Sequence, residues 1–454
     1  MTNHSQQFDS FLQANLDRYV TETAELCAQP SVSARQEGTR ACAELVAQVL
    51  GRHGFPVHRF ETPGNPILVG HLDGRAPRTL LFYNHYDVQP PEPLELWTTP
   101  PFQPTVRDGA LYARGAKDDK GELVARLAAV DAVRAAHNDG LPCGVTFVVE
   151  GEEEIGSPHI AQFVREHLDL LKCNGAVWEE GGTTHEGKPS TSLGRRGVLS
   201  VELAVETLKM DAHSGTAHYL PSAAWRLVRA LVSLKDENER ILIPGFYDAV
   251  KPPSQLDLDL FDAQPDREPL YREQFGVREF VRGLRGKEIA RAVFSPTCNI
   301  QGITTGYQGE GNKTVIPARA TAKLDFRLVP DQDPDDIFRK LRAHLDHAGF
   351  DDVEVKWSGA MWPEKANAND PLIELAKRTG EQVYQLPYEI TPLTGGSSPV
   401  YAFAKPLGNI PVISPGVGYG SNNRTHSPNE HVRLVDILNA ARHIARILDG
   451  FAEI

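Results

Sequence analysis

Residues 78–90 read RTLLFYNHYDVQP, and the stretch changes character halfway. Leu80, Leu81, Phe82 and Tyr83 form a short apolar run of the kind that fills the interior of a parallel sheet. His85 and Asp87 follow two residues apart, closed off by Pro90 and Pro91. Side chains at i and i+2 of an extended segment share a face, so the imidazole and the carboxylate point the same way. A buried strand thus ends in a paired acid and base.

Helical spacing of Leu, Val and Ala precedes this strand over residues 8–28 and 39–53, with a short strand at 67–71. A helix is expected over 121–136 and a further strand over 145–150. Strand, helix, strand in that order signals a βαβ, largely parallel sheet, and chemistry in such sheets sits beyond the carboxyl ends of the strands. From Val198 the texture changes. VLSVELAVE alternates like a half-exposed strand, followed by a helix over 221–233, a long strand over 316–330, a helix over 334–348 and a strand over 351–357. Strands alternating with two helices suggest a small α/β sandwich of ferredoxin-like type, covered on one face. The chain then returns to a helix at 370–384, a Gly-rich turn at 395–397 and a last helix at 432–448. This C-terminal part has no βαβ core of its own and is read as completing the first domain. The expected fold is α/β: one domain of residues 1–197 and 361–454 with a mixed, largely parallel sheet flanked by helices, and an inserted sandwich of residues 198–360.

At 454 residues the chain exceeds one ordinary core. Its 41% hydrophobic content, with 38 Gly and 33 Pro, describes a globular protein and not a disordered one. No apolar run approaches the roughly 20 residues of a membrane span, and the N-terminus has no signal-peptide apolar region. The five cysteines, Cys27, Cys42, Cys143, Cys173 and Cys298, form no C-x-x-C pair. Neither a disulfide framework nor a thiolate metal site is indicated, and reduced, buried thiols suit the cytoplasm. A formal charge of −13 without any Lys/Arg block argues against nucleic acid.

Four more clusters resemble the first. LYARGAKDDKGE sets Asp118 and Asp119 before a helix, FVVEGEEEIGS ends a strand in Glu150, Glu152, Glu153 and Glu154, GAVWEEGG ends another in Glu179 and Glu180, and NNRTHSPNEH places His426 in a turn before the last helix. Singly each has a plain reading: an Asp before a helix is more often an N-cap, and three glutamates are more often a solvated turn. Together they gather carboxylates that repel one another unless cations hold them. Two His and three carboxylates, one of them shared, are enough for two divalent ions of the zinc type, and such a pair can position and ionise water.

At this point the chain resembles the dinuclear zinc exopeptidase family of carnosine dipeptidases, aminoacylases, glutamate carboxypeptidase and succinyl-diaminopimelate desuccinylase. The resemblance rests on YNHYDVQP, ARGAKDDKG, EGEEEIGS, WEEGG, DAHSG, FRLVP, TGGSSPV and THSPNE, in the family's order; HYDVQP and HSPNE stand nearest the dipeptidase branch. It implies that His85 and Glu179 bind one ion, that Glu154 and His426 bind the second, and that Asp118 bridges both across a cis Asp118–Asp119 peptide. Glu180 remains an alternative to Glu179. It implies Glu153 as general base, with Asp87 orienting the His85 ring. His213 is implied as an oxyanion-stabilising group, and Arg327 and Ser397 as receivers of a substrate carboxylate. The ions implied are Zn²⁺, with Mn²⁺ or Co²⁺ accepted by the same donors. The inserted domain is implied to be a lid and a homodimerisation surface. The expected function is hydrolysis of dipeptides or similar small N-acyl amino acids, with an N-acyl amino acid deacylase as the rival and a non-catalytic metal-binding protein as the remote one. Asn174 stands where the family commonly has Asp.

Overall fold

In the computed structural model, which describes residues 4–420 and 422–454, the apolar run around Phe82 lies inside a six-stranded mixed sheet. Strands β1 (Val57–Phe60), β2 (Ile67–Leu72), β3 (Ala76–His85), β4 (Cys143–Glu150) and β5 (Gly175–Val177) join a two-residue strand, Val412–Ile413, in the order β1-β2-β4-β3-β5-(412–413). β3 runs parallel to both β4 and β5, while β1 and β2 form an antiparallel edge. All eight residues of β4 are buried, as expected of a central parallel strand covered on both faces.

The helices α1 (His4–Ala28), α2 (Thr39–Arg52) and α3 (Lys120–Ala136), with the C-terminal helix Leu434–Phe451, flank this sheet, and α1, α3 and the C-terminal helix pack on one another. α3 is buried nearly all round. Its Lys120 ammonium donates at 2.9 Å to the carbonyls of Leu26 and Gln29, groups at the end of α1 that the helix itself cannot satisfy. Its Arg126 guanidinium donates to the carbonyls of Tyr83 and Trp178, tying together the carboxyl ends of β3 and β5.

A buried ionic cluster links the first three helices. His53, at the end of α2, has Nδ1 2.9 Å from Asp131 and Nε2 3.0 Å from Glu22. Burial, the largest influence, opposes its charge, but the two carboxylates outweigh burial and raise its pKa. The stability this group contributes is therefore complete below its unfolded pKa of about 6.5 and is lost as pH rises through the higher folded value. The difference in Tm between the wild type and His53→Gln should be large at pH 6 and shrink under alkaline conditions. An equal difference at both ends of the range would contradict this.

The chain divides into two compact units: Met1–Leu193, Ala366–Thr391 and Pro399–Ile454 in the first, Gly194–Lys365 and Pro392–Ser398 in the second. The second contains β6 (Gly197–Glu206), α4 (Ala223–Val232), β7 (Thr297–Thr305), β8 (Arg319–Leu328), α5 (Pro334–His347) and β9 (Glu354–Met361). Its strands pair antiparallel throughout, in the order β7-β8-β6-β9. This βαββαβ arrangement is the ferredoxin-like sandwich. The alternating burial of β6 turns Leu199, Val201, Leu203 and Val205 into the same core as Leu227, Ile337 and Leu341 of the two helices. α5 starts where Asp333 accepts the N–H of Asp335, with Pro334 as its first residue, both ordinary helix-start devices. Between α4 and β7 lies an excursion with further helices at Gln255–Ala263 and Glu268–Phe275.

Candidate metal centre

The parallel pairing of the first unit brings three strand ends together. His85 of β3 sits opposite Glu150 of β4, and β5 ends just before Trp178, Glu179 and Glu180. Trp178 stacks on Tyr83 with ring centroids 3.9 Å apart, so the apolar run beneath fixes the level at which the polar residues emerge. Asp118 and Asp119 immediately precede α3, and the peptide between them is cis.

Asp118 is the hub. Its Oδ1 lies 3.1 Å from His85 Nε2, and its Oδ2 lies 3.0 Å from His426 Nε2. One carboxylate thus faces two imidazoles with two different oxygens. His426 Nε2 is also 3.2 Å from Glu154 Oε2, and the donor atoms of Asp118, Glu154 and His426 all lie within 4.8 Å of one another. Glu179 is buried, and its Oε2 has no hydrogen-bond partner among the described residues. Burial, the charge of Glu180 and that of Glu153 push its carboxyl well above the ordinary range. Glu180 is exposed, so the buried orphan oxygen supports Glu179 as the donor.

The electrostatics describe a pocket with negative charge in excess. Hydrogen bonds donated to the Asp118 and Glu154 carboxylates raise the His426 pKa to about 10. Burial pushes Glu153 up to about 8, reinforced by Glu154, Asp118 and Asp87 and opposed by His85. Carboxylates that draw protons onto themselves and their neighbours are in the condition a divalent cation relieves. The donors are oxygen and imidazole nitrogen without thiolate, which suits zinc-type ions. The residues present fit such ions.

The surroundings refine the expected roles. His85 Nδ1 is 3.0 Å from the backbone carbonyl of Asp87 and 3.4 Å from its carboxylate. The Asp87 carboxylate chiefly accepts the N–H groups of Glu153 and Glu154, at 3.1 and 3.0 Å. It therefore ties the end of β3 to the loop that carries the two glutamates. Asp119 holds the N-cap position of α3, but its side chain does not cap the helix: its Oδ2 accepts from Asn84 and from the His85 N–H. Asn174 pairs with Thr79 at the start of β3, away from the strand ends, through bonds of 2.9 and 3.0 Å; an Asp could accept the same N–H.

Glu430, quoted within HSPNE but given no role from sequence, is fully buried. One of its oxygens accepts from Arg114 and the Gly115 N–H, the other from the Lys117 and Asp118 N–H groups. It shapes the loop that presents Asp118. Gln89 likewise donates to Glu154 at 2.9 Å. Only the long-range contact reveals either role. Groups that hold metal ligands in place typically matter 10–100-fold, so Glu430→Gln should fold yet bind metal about 10–100-fold more weakly in a chelator competition. An unchanged affinity would remove Glu430 from the site.

The other expected residues lie on the second unit. Arg327 of β8 donates to the Ser397 hydroxyl at 2.9 Å, so the structure does bring these two together. Arg196 Nη2 donates to the carbonyls of Arg327 and Ser295; burial, then the charge of Arg327, lower its pKa to about 10. His213 is exposed in a short strand, and its Nδ1 accepts the Gly215 N–H at 3.0 Å. In the neutral ring this leaves the hydrogen on Nε2.

Comparison with known proteins places these features in context. Peptidase family M20/M25/M40 matches residues 81–450. A Beta-Ala-His dipeptidase from Mus musculus is 32% identical over 338 residues, covering 71% of this chain and 67% of that protein. The Cys-Gly metallodipeptidase dug1 from Schizosaccharomyces pombe is 28% identical over 459 residues, 94% of each. The crystal structure of an M20 family metallo-carboxypeptidase, Sso-CP2 from Sulfolobus solfataricus, superposes with a TM-score of 0.87 at 33% identity, covering 96% of this chain and 99% of that one.

Proposed function

The chain belongs to peptidase family M20/M25/M40, and from that membership we propose that it is a dinuclear metallodipeptidase acting on dipeptides or similar small N-acyl amino acids. At the coarser level it is a metal-dependent hydrolase of peptide bonds, as are the Cys-Gly metallodipeptidase and the metallo-carboxypeptidase it is similar to. The observation that carries the finer reading is Asp118, whose two oxygens each face a different imidazole.

His85 and Glu179 would hold one ion, Glu154 and His426 the other, and Asp118 both. Zn²⁺ is the ion proposed, with Mn²⁺ and Co²⁺ compatible with the same donors. When bound, such ions polarise the scissile carbonyl and acidify water. Glu153 takes a proton from the attacking water and returns it to the leaving amine; the backbone bonds from Glu153 and Glu154 to Asp87 fix where it stands. Arg327, hydrogen-bonded to Ser397, receives the substrate carboxylate. His213, whose Nε2 lies 3.4 Å from Thr314 Oγ1 in this structure, donates from that nitrogen to the oxyanion.

The second unit is proposed to be a lid that also forms the homodimer. α4 exposes Trp225 and Val232 by 65% and 67%, and β7 exposes Ile300 and Ile303, an apolar edge suited to a twin across a two-fold axis. His213 then serves the partner's site. His213→Ala and Glu153→Ala proteins, each nearly inactive, should regain activity when unfolded and refolded together. Heterodimers as inactive as their parents would show that His213 does not act across the interface. All five cysteines are free and buried, consistent with a reducing compartment, and among the described residues no helix is long and apolar enough to cross a membrane.

The test of the function is a panel of dipeptides and N-acyl amino acids assayed with Zn²⁺, Mn²⁺ and Co²⁺. Metal-dependent cleavage of dipeptides is expected. Turnover confined to N-acetyl or N-succinyl amino acids would replace the dipeptidase with a deacylase, and no turnover at all would overturn the reading.

A further inference from the structure

We propose that His4, His137 and Asp449 form a second divalent-metal site of the zinc type, separate from the Asp118 cluster. The three residues come from the start of α1, the residue capping the end of α3, and the last turn of the C-terminal helix. Asp449 Oδ1 lies 2.8 Å from His137 Nε2 and 3.4 Å from His4 Nδ1, and the three donor atoms fall within 4.8 Å of one another. The two imidazole rings stand 4.2 Å apart.

Two features point beyond a hydrogen-bonded trio. An ion bound tetrahedrally at about 2.0–2.1 Å from its ligands sets neighbouring donor atoms about 3.3 Å apart, and the observed 2.8 and 3.4 Å bracket that spacing. His137 and Asp449 are largely buried, at 12% and 13% exposure, while His4 keeps 35%. The protein therefore supplies three ligands on one side and leaves the other open to a water molecule as the fourth. Arg75, immediately before β3, donates from Nη2 to His137 Nδ1 at 2.9 Å. β3 runs from Ala76 to His85, so this cluster stands at the opposite end of the strand from the Asp118 centre.

Arg75 also sets the terms of binding. A guanidinium can only donate, so it keeps the His137 proton on Nε2, the atom that would ligate. A ligating histidine instead needs its other N–H to meet an acceptor. Arg75 is exposed and must swing aside for the ion to enter. Its effect is to weaken the site, and the bound ion would clamp the start of α1 onto α3 and the C-terminal helix.

The test is equilibrium dialysis of the full-length protein against graded free Zn²⁺, with zinc counted per chain. Wild type should bind one ion more than His4→Ala or Asp449→Asn, and both variants should keep wild-type peptidase activity. Arg75→Gln, which offers an amide oxygen to the His137 N–H, should bind the additional ion about tenfold tighter. Equal zinc counts in wild type and His4→Ala at every concentration would overturn the proposal, and so would an Arg75→Gln protein that binds no more tightly than wild type.

Discussion

Glu153→Gln is expected to bind metal at the wild-type stoichiometry and to lose about 10²–10⁴-fold in kcat. The substitution keeps the shape of the side chain and removes only its capacity to carry a proton. Glu153 is not among the donors that cluster with Asp118, Glu154 and His426, and its backbone N–H is held by Asp87 whatever its side chain, so neither fold nor ligand set should respond. The loss should fall on kcat more than on KM, because the proton moves only as the reaction proceeds. Near-normal turnover would assign the base elsewhere, and loss of metal would make Glu153 a ligand.

Asp118→Ala is expected to abolish turnover and to release both ions, whereas His426→Ala should weaken one ion selectively. The asymmetry follows from geometry: Asp118 faces His85 with one oxygen and His426 with the other, while among the described residues the carboxylates that His426 meets are Asp118 and Glu154. Metal analysis of the dialysed variants checks the distinction. Unchanged stoichiometry in Asp118→Ala would end the bridging role.

Much of this arrangement was legible in the sequence, for reasons that can be named. The run from Leu80 to Tyr83 is apolar because β3 is buried on both faces, and it ends in His85 because the strand ends there. β6 announced itself through strict alternation, since one of its faces packs on α4 and α5. Strand β7 gave no such signal: it is an exposed edge strand whose residues have little core to meet. The excursion between α4 and β7 was equally silent. Within the site, residue types marked the candidate ligands, but the supporting contacts were hidden. Asp87 was expected to orient His85, and its carboxylate, 3.4 Å from that ring, also grips the Glu153–Glu154 backbone. Glu430 reaches across more than three hundred residues of chain to the Asp118 loop, a pairing that no local spacing encodes. Local pattern reports which face a residue shows, and long-range hydrogen bonds report only once the chain is folded.

The most direct measurement is anomalous diffraction at the zinc absorption edge from crystals grown with Zn²⁺. Two peaks are expected about 3.5–4 Å apart, one beside His85 and Glu179, the other beside His426 and Glu154, with the Asp118 carboxylate reaching both. A single peak at this centre, or two peaks of which only one touches Asp118, would contradict the account.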